Sequence, residues 1–186
     1  MAKTRQHSFP EAMGISALVV GLLCLIQIVE WFLPPHFLMR YGILPRTGMG
    51  LVGIIFSPLL HANLEHLLAN AIPLFILLVL LLTNRHYYPY RTLALIWLAS
   101  GLGTWLIGRG NRVHLGASAI ILGLIAYLIW SGIFMRSWRS VLVAIVVFFI
   151  FGGALLGVLP QAGGISWEGH LCGAVAGVWA AKWNHA

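Results

Sequence analysis

The chain has 186 residues, of which 60% are hydrophobic and only 8% are charged. Soluble domains carry about 25% charged residues, so a water-soluble fold of this size could not hide so much apolar surface. The formal net charge of +7 comes mostly from arginines and lysines in the connections between apolar segments. No basic stripe with interleaved aromatic residues is present, which argues against nucleic acid as a partner.

Six apolar segments approach or exceed the length of about 20 residues that a helix needs to cross a bilayer. They lie at 12–33, 62–83, 91–108, 117–135, 141–159 and 168–184. The connections between them are mostly short and leave no room for a second domain. The sequence therefore predicts an all-α, polytopic membrane protein, with one six-helix domain over residues 1–186.

The distribution of Lys and Arg predicts the orientation of this bundle. If the N-terminus is cytoplasmic, seven of these residues lie inside and four lie outside. The inner set is Lys3, Arg5, Arg85, Arg91, Arg136, Arg139 and Lys182, and the outer set is Arg40, Arg46, Arg109 and Arg112. Because positive residues favour the cytoplasmic side, both termini are predicted to be cytoplasmic.

Polar side chains cluster at the outer ends of three predicted spans. Ionisable groups at membrane depth are costly and mark functional sites. The second, fourth and sixth spans run in the same direction, so their starts share the outer leaflet. The polar residues at these starts are His61, His66, Asn70, Ser118 and His170. A random scatter would not share one level, so a functional site is predicted there.

Ser118 and His170 are the residues that suit nucleophilic catalysis at this level. Serine becomes a nucleophile when a base takes its proton, and a neutral histidine is the usual base. The chain contains no Asp, and Glu168, two residues before His170, points away on a helix. We therefore predict a Ser-His dyad whose histidine is oriented by packing.

Small residues provide the packing that would bring the two groups together. Gly173 and Gly177 form a Gly-x-x-x-Gly face in the sixth span, and the fourth span offers Ala119 and Gly123. Such faces let two membrane helices approach closely.

Donors for an oxyanion are also predicted at this site. Ser118 lies near a helix N-terminus, where backbone N–H groups lack intrahelical partners. Gly116 allows close backbone approach before the turn. His66 and Asn70 are four residues apart and share a helix face, so their side chains supply further donors.

Three stretches in this order and spacing resemble the rhomboid family of intramembrane serine proteases: HANLEHLLAN (61–70), GAS (116–118) and GHLCGAVAG (169–177). The segments GILPR (42–46), SPLLH (57–61) and SWEGH (166–170) are also similar to bacterial members. The resemblance covers nearly the whole chain after its first 40 or so residues. It implies Ser118 as nucleophile, His170 as base, and His66, Asn70 and the Ser118 N–H as oxyanion donors. It gives His61 a supporting role.

The resemblance also implies that transmembrane proteins are cleaved near the outer face of a bacterial plasma membrane. No metal or organic cofactor is implied, and neither the sequence nor the resemblance indicates an oligomeric state. Three positions depart from the family pattern. Ala119 replaces the usual Gly after the nucleophile, Leu122 stands where many members have Tyr, and Val52-Gly53 stands where a Trp-Arg pair is common.

Other functions remain open at this stage. His61, His66 and His170 are candidate zinc ligands, although HANLEH lacks the His-Glu-x-x-His spacing of metalloproteases. A rhomboid-like protein that binds membrane clients without cutting them is the main alternative, which Ala119 keeps open. A transporter is disfavoured because the polar residues cluster at one outer level rather than at the midplane.

Two loop features complete the expectations. His114 is expected to be a surface residue of the outer loop. Gly163 and Gly164 are expected to let the loop before the last span lift over the site, so that substrate enters past the fifth span.

Overall fold

The computed structural model describes residues 6–160 and 166–185. Over these residues the chain forms seven α-helices: α1 Phe9–Trp31, α2 Gly48–Phe56, α3 Leu64–Leu82, α4 Pro89–Ile107, α5 Ser118–Phe134, α6 Trp138–Phe151 and α7 Trp167–His185. Four 3-10 segments lie between them: Met39–Tyr41, Ser57–Leu59, Arg85–Tyr87 and Gly152–Val158. Lys3, Arg5, Gly163 and Gly164, which enter the predictions of orientation and loop movement, lie outside the described residues.

Helix α5 is the centre of the bundle. The nine consecutive residues Ile120–Leu128 are all buried. A helix that is apolar on every side is buried on every side, which agrees with this composition. It packs most extensively against α7, and it also contacts α6, α4 and α3. The position of α5 therefore sets the positions of the helices around it.

The contact between α5 and α7 is made by small residues, as the sequence predicted. Gly173 lies against the backbone carbonyl of Ala119, and Gly177 lies against that of Gly123. A Cβ atom at either glycine would collide with the facing carbonyl. The two backbones are thus in contact at two points that lie about one helical turn apart.

Large apolar side chains cover much of the outside of the bundle. Among the described residues, three segments are long and apolar enough to cross a membrane, namely Phe9–Trp31, Leu64–Leu82 and Trp138–Val158. Leu18, Phe149 and Ile150 are 76%, 80% and 63% exposed. Such a surface suits an integral membrane protein. The six crossings and the orientation of the termini remain predictions.

The short helix α2 was not predicted. Its N-cap is Thr47, whose hydroxyl accepts a hydrogen bond from Gly50 N–H. Nine residues rise only about 13.5 Å, too short a distance to cross a bilayer. Gly53 lies against the carbonyl of Gly42, where a Cβ atom would collide, and Val52 is exposed. A glycine therefore fits this position, where the family pattern has a larger residue.

Gly177→Ala tests the α5–α7 contact. The added methyl must push the Gly123 carbonyl away, so the free energy of unfolding should fall by about 1–3 kcal/mol, as in other overpacked cores. The control is Gly21→Ala in α1, where an added Cβ meets nothing within 4 Å. Unfolding in mixed detergent micelles measures both. Equal stability of the two variants would contradict the contact.

Candidate active site

Ser118 and His170 are within hydrogen-bond distance. The Ser118 Oγ lies 2.9 Å from His170 Nε2, although the two residues are 52 positions apart. Ser118 is the first residue of α5, and His170 lies in the first turn of α7. The close α5–α7 packing places both side chains at the same end of the bundle.

A second hydrogen bond orients the His170 ring. Its Nδ1 lies 3.1 Å from the backbone carbonyl of Gly157, in the 3-10 segment that follows α6. A carbonyl only accepts hydrogen bonds, so Nδ1 carries the ring proton. Nε2 is then free to accept the proton of the Ser118 hydroxyl. Orientation was expected from packing, and the structure adds this acceptor, which no side-chain pattern could have indicated.

The start of α5 presents unpaired backbone donors beside Ser118. The N-cap Ala117 makes no side-chain cap, and the first intrahelical bond runs from Ile121 N–H to the Ala117 carbonyl. The earlier N–H groups of the helix have no intrahelical partner, and the helix dipole favours negative charge there. Gly116, with φ +104°, makes the turn into the helix.

His66 lies directly against this turn. A Cβ atom at Gly116 would stand 2.7 Å from His66 Nε2, so only glycine leaves room for the ring. Asn70 is buried, and its Nδ2 donates to the His66 carbonyl at 2.7 Å. That bond uses one of the two N–H groups on the amide, so a second donor remains.

His61 lies behind the turn. It is buried, and its Nε2 lies 3.5 Å from Ala117 N. Its ring meets the His66 ring edge to face at 5.2 Å between centroids. Gly116 N–H also donates to the Ser57 carbonyl at 2.9 Å. These contacts hold the segment before Ser118 to the segment before α3, and the supporting role of His61 stays a prediction.

One cavity of about 520 Å³ is lined by Ser118, His170, His66 and Asn70, whereas His61 is not among its lining residues. Its polar lining includes Asn63, His66, Asn70, Arg109, Arg112, His114, Ser118, Ser166 and His170. Its apolar wall includes Leu122, which stands where many family members have Tyr. Within the described part of the chain, no three His, Cys, Asp or Glu side chains are arranged to hold a metal ion.

Comparison with known proteins agrees with this architecture. The sequence model of the Rhomboid domain matches residues 49–185. The chain belongs to the rhomboid family. It is 46% identical over 171 residues to an uncharacterized protein of Mycobacterium tuberculosis, a match that covers 87% of this chain and 70% of the relative.

Two further relatives come from another mycobacterium and from a virus. An uncharacterized protein of Mycobacterium leprae is 41% identical over 179 residues, covering 90% of this chain and 70% of the relative. A putative rhomboid protein of Acanthamoeba polyphaga mimivirus is 29% identical over 165 residues, covering 86% of each chain.

This rhomboid chain also holds a buried ion pair beside the cavity. The Arg109 Nε lies 2.6 Å from Glu168 Oε1, and Arg109 Nη2 lies 3.3 Å from Oε2. Glu168 is 2% exposed and Arg109 is 33% exposed. Glu168 was expected to point away from His170, and its carboxylate pairs with Arg109. Its pairing with Arg109 was not predicted, because two charges 59 residues apart carry no signal of a shared position.

His114 is buried, so the expectation of a surface residue is wrong. Its backbone pairs with Ile43, which folds the loop between α4 and α5 back onto the segment between α1 and α2. Its Nδ1 lies 2.5 Å from the Ser166 hydroxyl, and Ser166 Oγ also accepts from Gly169 N–H. Burial lowers the pKa of His114, so the ring is neutral near pH 7. The loop before Ser118 is thus tied to the first turn of α7.

Glu168→Gln tests the ion pair. Removing one partner of a buried pair leaves the other charge uncompensated and costs about 3–5 kcal/mol. Because Arg109 is partly exposed, we expect a smaller loss in the free energy of unfolding, about 2 kcal/mol. The matched control is Glu65→Gln at the same end, where the glutamate is exposed and the change should be within about 0.5 kcal/mol. A Glu168 variant as stable as this control would rule out the pair as a stabilising contact.

Proposed function

We propose that this rhomboid-family protein is an intramembrane serine endopeptidase. The observation that carries the proposal is the 2.9 Å contact between Ser118 Oγ and His170 Nε2 at the starts of α5 and α7. The contact joins a nucleophile to a base whose proton-bearing nitrogen is already engaged by a carbonyl. Uncapped N–H groups lie beside it, where a developing oxyanion needs donors.

The first step is acylation of Ser118. His170 Nε2 takes the hydroxyl proton as Oγ attacks the carbonyl carbon of the scissile peptide bond. The carbonyl oxygen becomes an oxyanion, which the Ser118 N–H, the Asn70 amide and the His66 ring stabilise. His170 then gives its proton to the leaving amine, and the acyl group stays on Ser118.

Water completes the reaction by the same groups. The cavity of about 520 Å³ is large enough for water to reach the ester. His170 Nε2 takes a proton from water, the resulting hydroxide attacks the ester carbon, and the proton returns to Ser118 Oγ. A new carboxyl terminus is released and the free serine is restored. No step requires a metal or an organic cofactor.

The remaining features of the proposal concern placement. Residues 1–186 form one rhomboid domain that crosses the membrane six times, with both termini in the cytoplasm. The site then faces the outer side of a bacterial plasma membrane. Its substrates are transmembrane proteins, and the lipid bilayer is its other partner.

Labelling by a fluorophosphonate probe tests the dyad in detergent-solubilised protein. Wild type should be labelled, whereas Ser118→Ala and His170→Ala should each fall below about one thousandth of the wild-type rate, since the dyad acts as a unit. The matched controls are Ser137→Ala and His86→Ala at the opposite end of the bundle, which should label like wild type.

Probe labelling together with a test for binding of a transmembrane client separates the two candidate functions. A folded wild type that is never labelled, yet retains a transmembrane client, would favour the non-catalytic client-binding alternative. Labelling that persists in Ser118→Ala would contradict Ser118 as the nucleophile.

A further inference from the structure

We propose that Gly157 and Pro160 form a main-chain orienting element for His170, in the role that a carboxylate side chain fills in a catalytic triad. The inference rests on the proposed function, because it assigns the group that positions the base. Gly157 and Pro160 are positioning residues here, since each is argued to act through the His170 ring.

The Gly157 carbonyl is available because of its place in the 3-10 segment Gly152–Val158. In a 3-10 helix each carbonyl accepts from the N–H three residues later. The last such bond runs from Leu159 N–H to the Leu156 carbonyl, at 3.1 Å. The chain leaves this pattern at Leu159, whose backbone is extended (φ −78°, ψ 145°), the conformation that a residue before proline favours. Pro160 also has no N–H with which to continue the pattern. The Gly157 carbonyl is left to accept from His170 Nδ1.

Glycine at position 157 lets this carbonyl approach the ring. A Cβ atom there would stand 3.0 Å from His170 Nδ1, closer than most real contacts of that kind. The 3-10 segment packs directly against α7, so the acceptor and the histidine are held by one contact surface. Gly153, in the same segment, has nothing within 4 Å of an added Cβ and so has no such role.

None of the four described glutamates is shown as the partner of His170 Nδ1; the acceptor is a backbone carbonyl. Glu11 caps α1, Glu30 accepts from Leu38 N–H, and Glu168 pairs with Arg109. Glu65 is exposed in the first turn of α3. With Nδ1–H held by a carbonyl, the ring keeps the tautomer in which Nε2, the nitrogen that faces Ser118, carries no proton. Without that acceptor the proton would exchange between the two nitrogens, and the base would be available for part of the time.

Two variants disturb the element by different routes. Pro160→Ala restores an N–H and removes the restriction that favours an extended Leu159, so the 3-10 segment can continue by one residue and compete for the Gly157 carbonyl. Gly157→Ala presses a methyl against the ring. Both should lower kcat for a transmembrane substrate by about tenfold while KM stays unchanged, because the ground-state binding surface is not altered. The matched controls are Gly153→Ala and Pro34→Ala, which should retain the wild-type kcat.

The second measurement is ¹⁵N NMR of the imidazole nitrogens, with the His170 signals identified by their loss in His170→Ala. Wild type and both controls should show a protonated Nδ1 and an unprotonated Nε2. Pro160→Ala should show a mixture of the two tautomers. This readout does not depend on turnover, so it also distinguishes the element from a general loss of stability.

The outcomes separate this proposal from the proposed function. If Pro160→Ala and Gly157→Ala keep both the wild-type kcat and the single tautomer, the orienting element is overturned while the dyad stands. If the wild type has no activity but still shows the Nδ1–H tautomer, the proposed endopeptidase function is overturned, while the hydrogen bond from His170 to the Gly157 carbonyl is supported. A wild type with protonated Nε2 would overturn the orienting element whatever its activity.

Discussion

The structure depends on one constraint, the backbone contact between α5 and α7. Two glycines, Gly173 and Gly177, lie against the carbonyls of Ala119 and Gly123. At these two glycines no side chain separates the backbones, so the register of the two helices is fixed there by the shapes of the backbones. The first turns of both helices are then held side by side, and Ser118 meets His170 without any direct covalent or ionic link between them.

A second set of contacts fixes the approach to those first turns. The loop between α4 and α5 ends at Ser118, and it is joined to the start of α7 by the Arg109–Glu168 ion pair and the His114–Ser166 hydrogen bond. The turn at Gly116 is held in addition by the Ser57 carbonyl. Helix packing sets the distance between the two segments, and these polar contacts set how the chain enters each helix.

Much of this arrangement could be predicted from the sequence. Polar residues at the starts of three predicted spans were expected to lie close together, and the structure brings His66, Asn70, Ser118 and His170 to one cavity. The small faces on α5 and α7 were predicted to match, and they do. These predictions depend on helical periodicity and on side-chain size, both of which follow directly from residue types and their spacing.

The features that were not predicted depend on contacts between distant residues, or on short segments, for which the sequence gives no pattern. The polar loop that carries His114 gave no sign that it folds back through a bridge to Ile43. Helix α2 was missed because nine glycine-rich apolar residues are too short to show a clear helical period. The acceptor for His170 Nδ1 is a backbone carbonyl, a group that every residue carries, so no residue type marks it.

The 3-10 winding after α6 has a rotational consequence. An α-helix turns about 100° per residue and a 3-10 helix about 120°. Over the six steps from Phe151 to Gly157 the difference amounts to about a third of a full turn. An uninterrupted α-helix would therefore aim the Gly157 carbonyl away from α7. The rotation of the chain in the turns that follow α6 thus decides that the Gly157 carbonyl dipole meets His170 Nδ1.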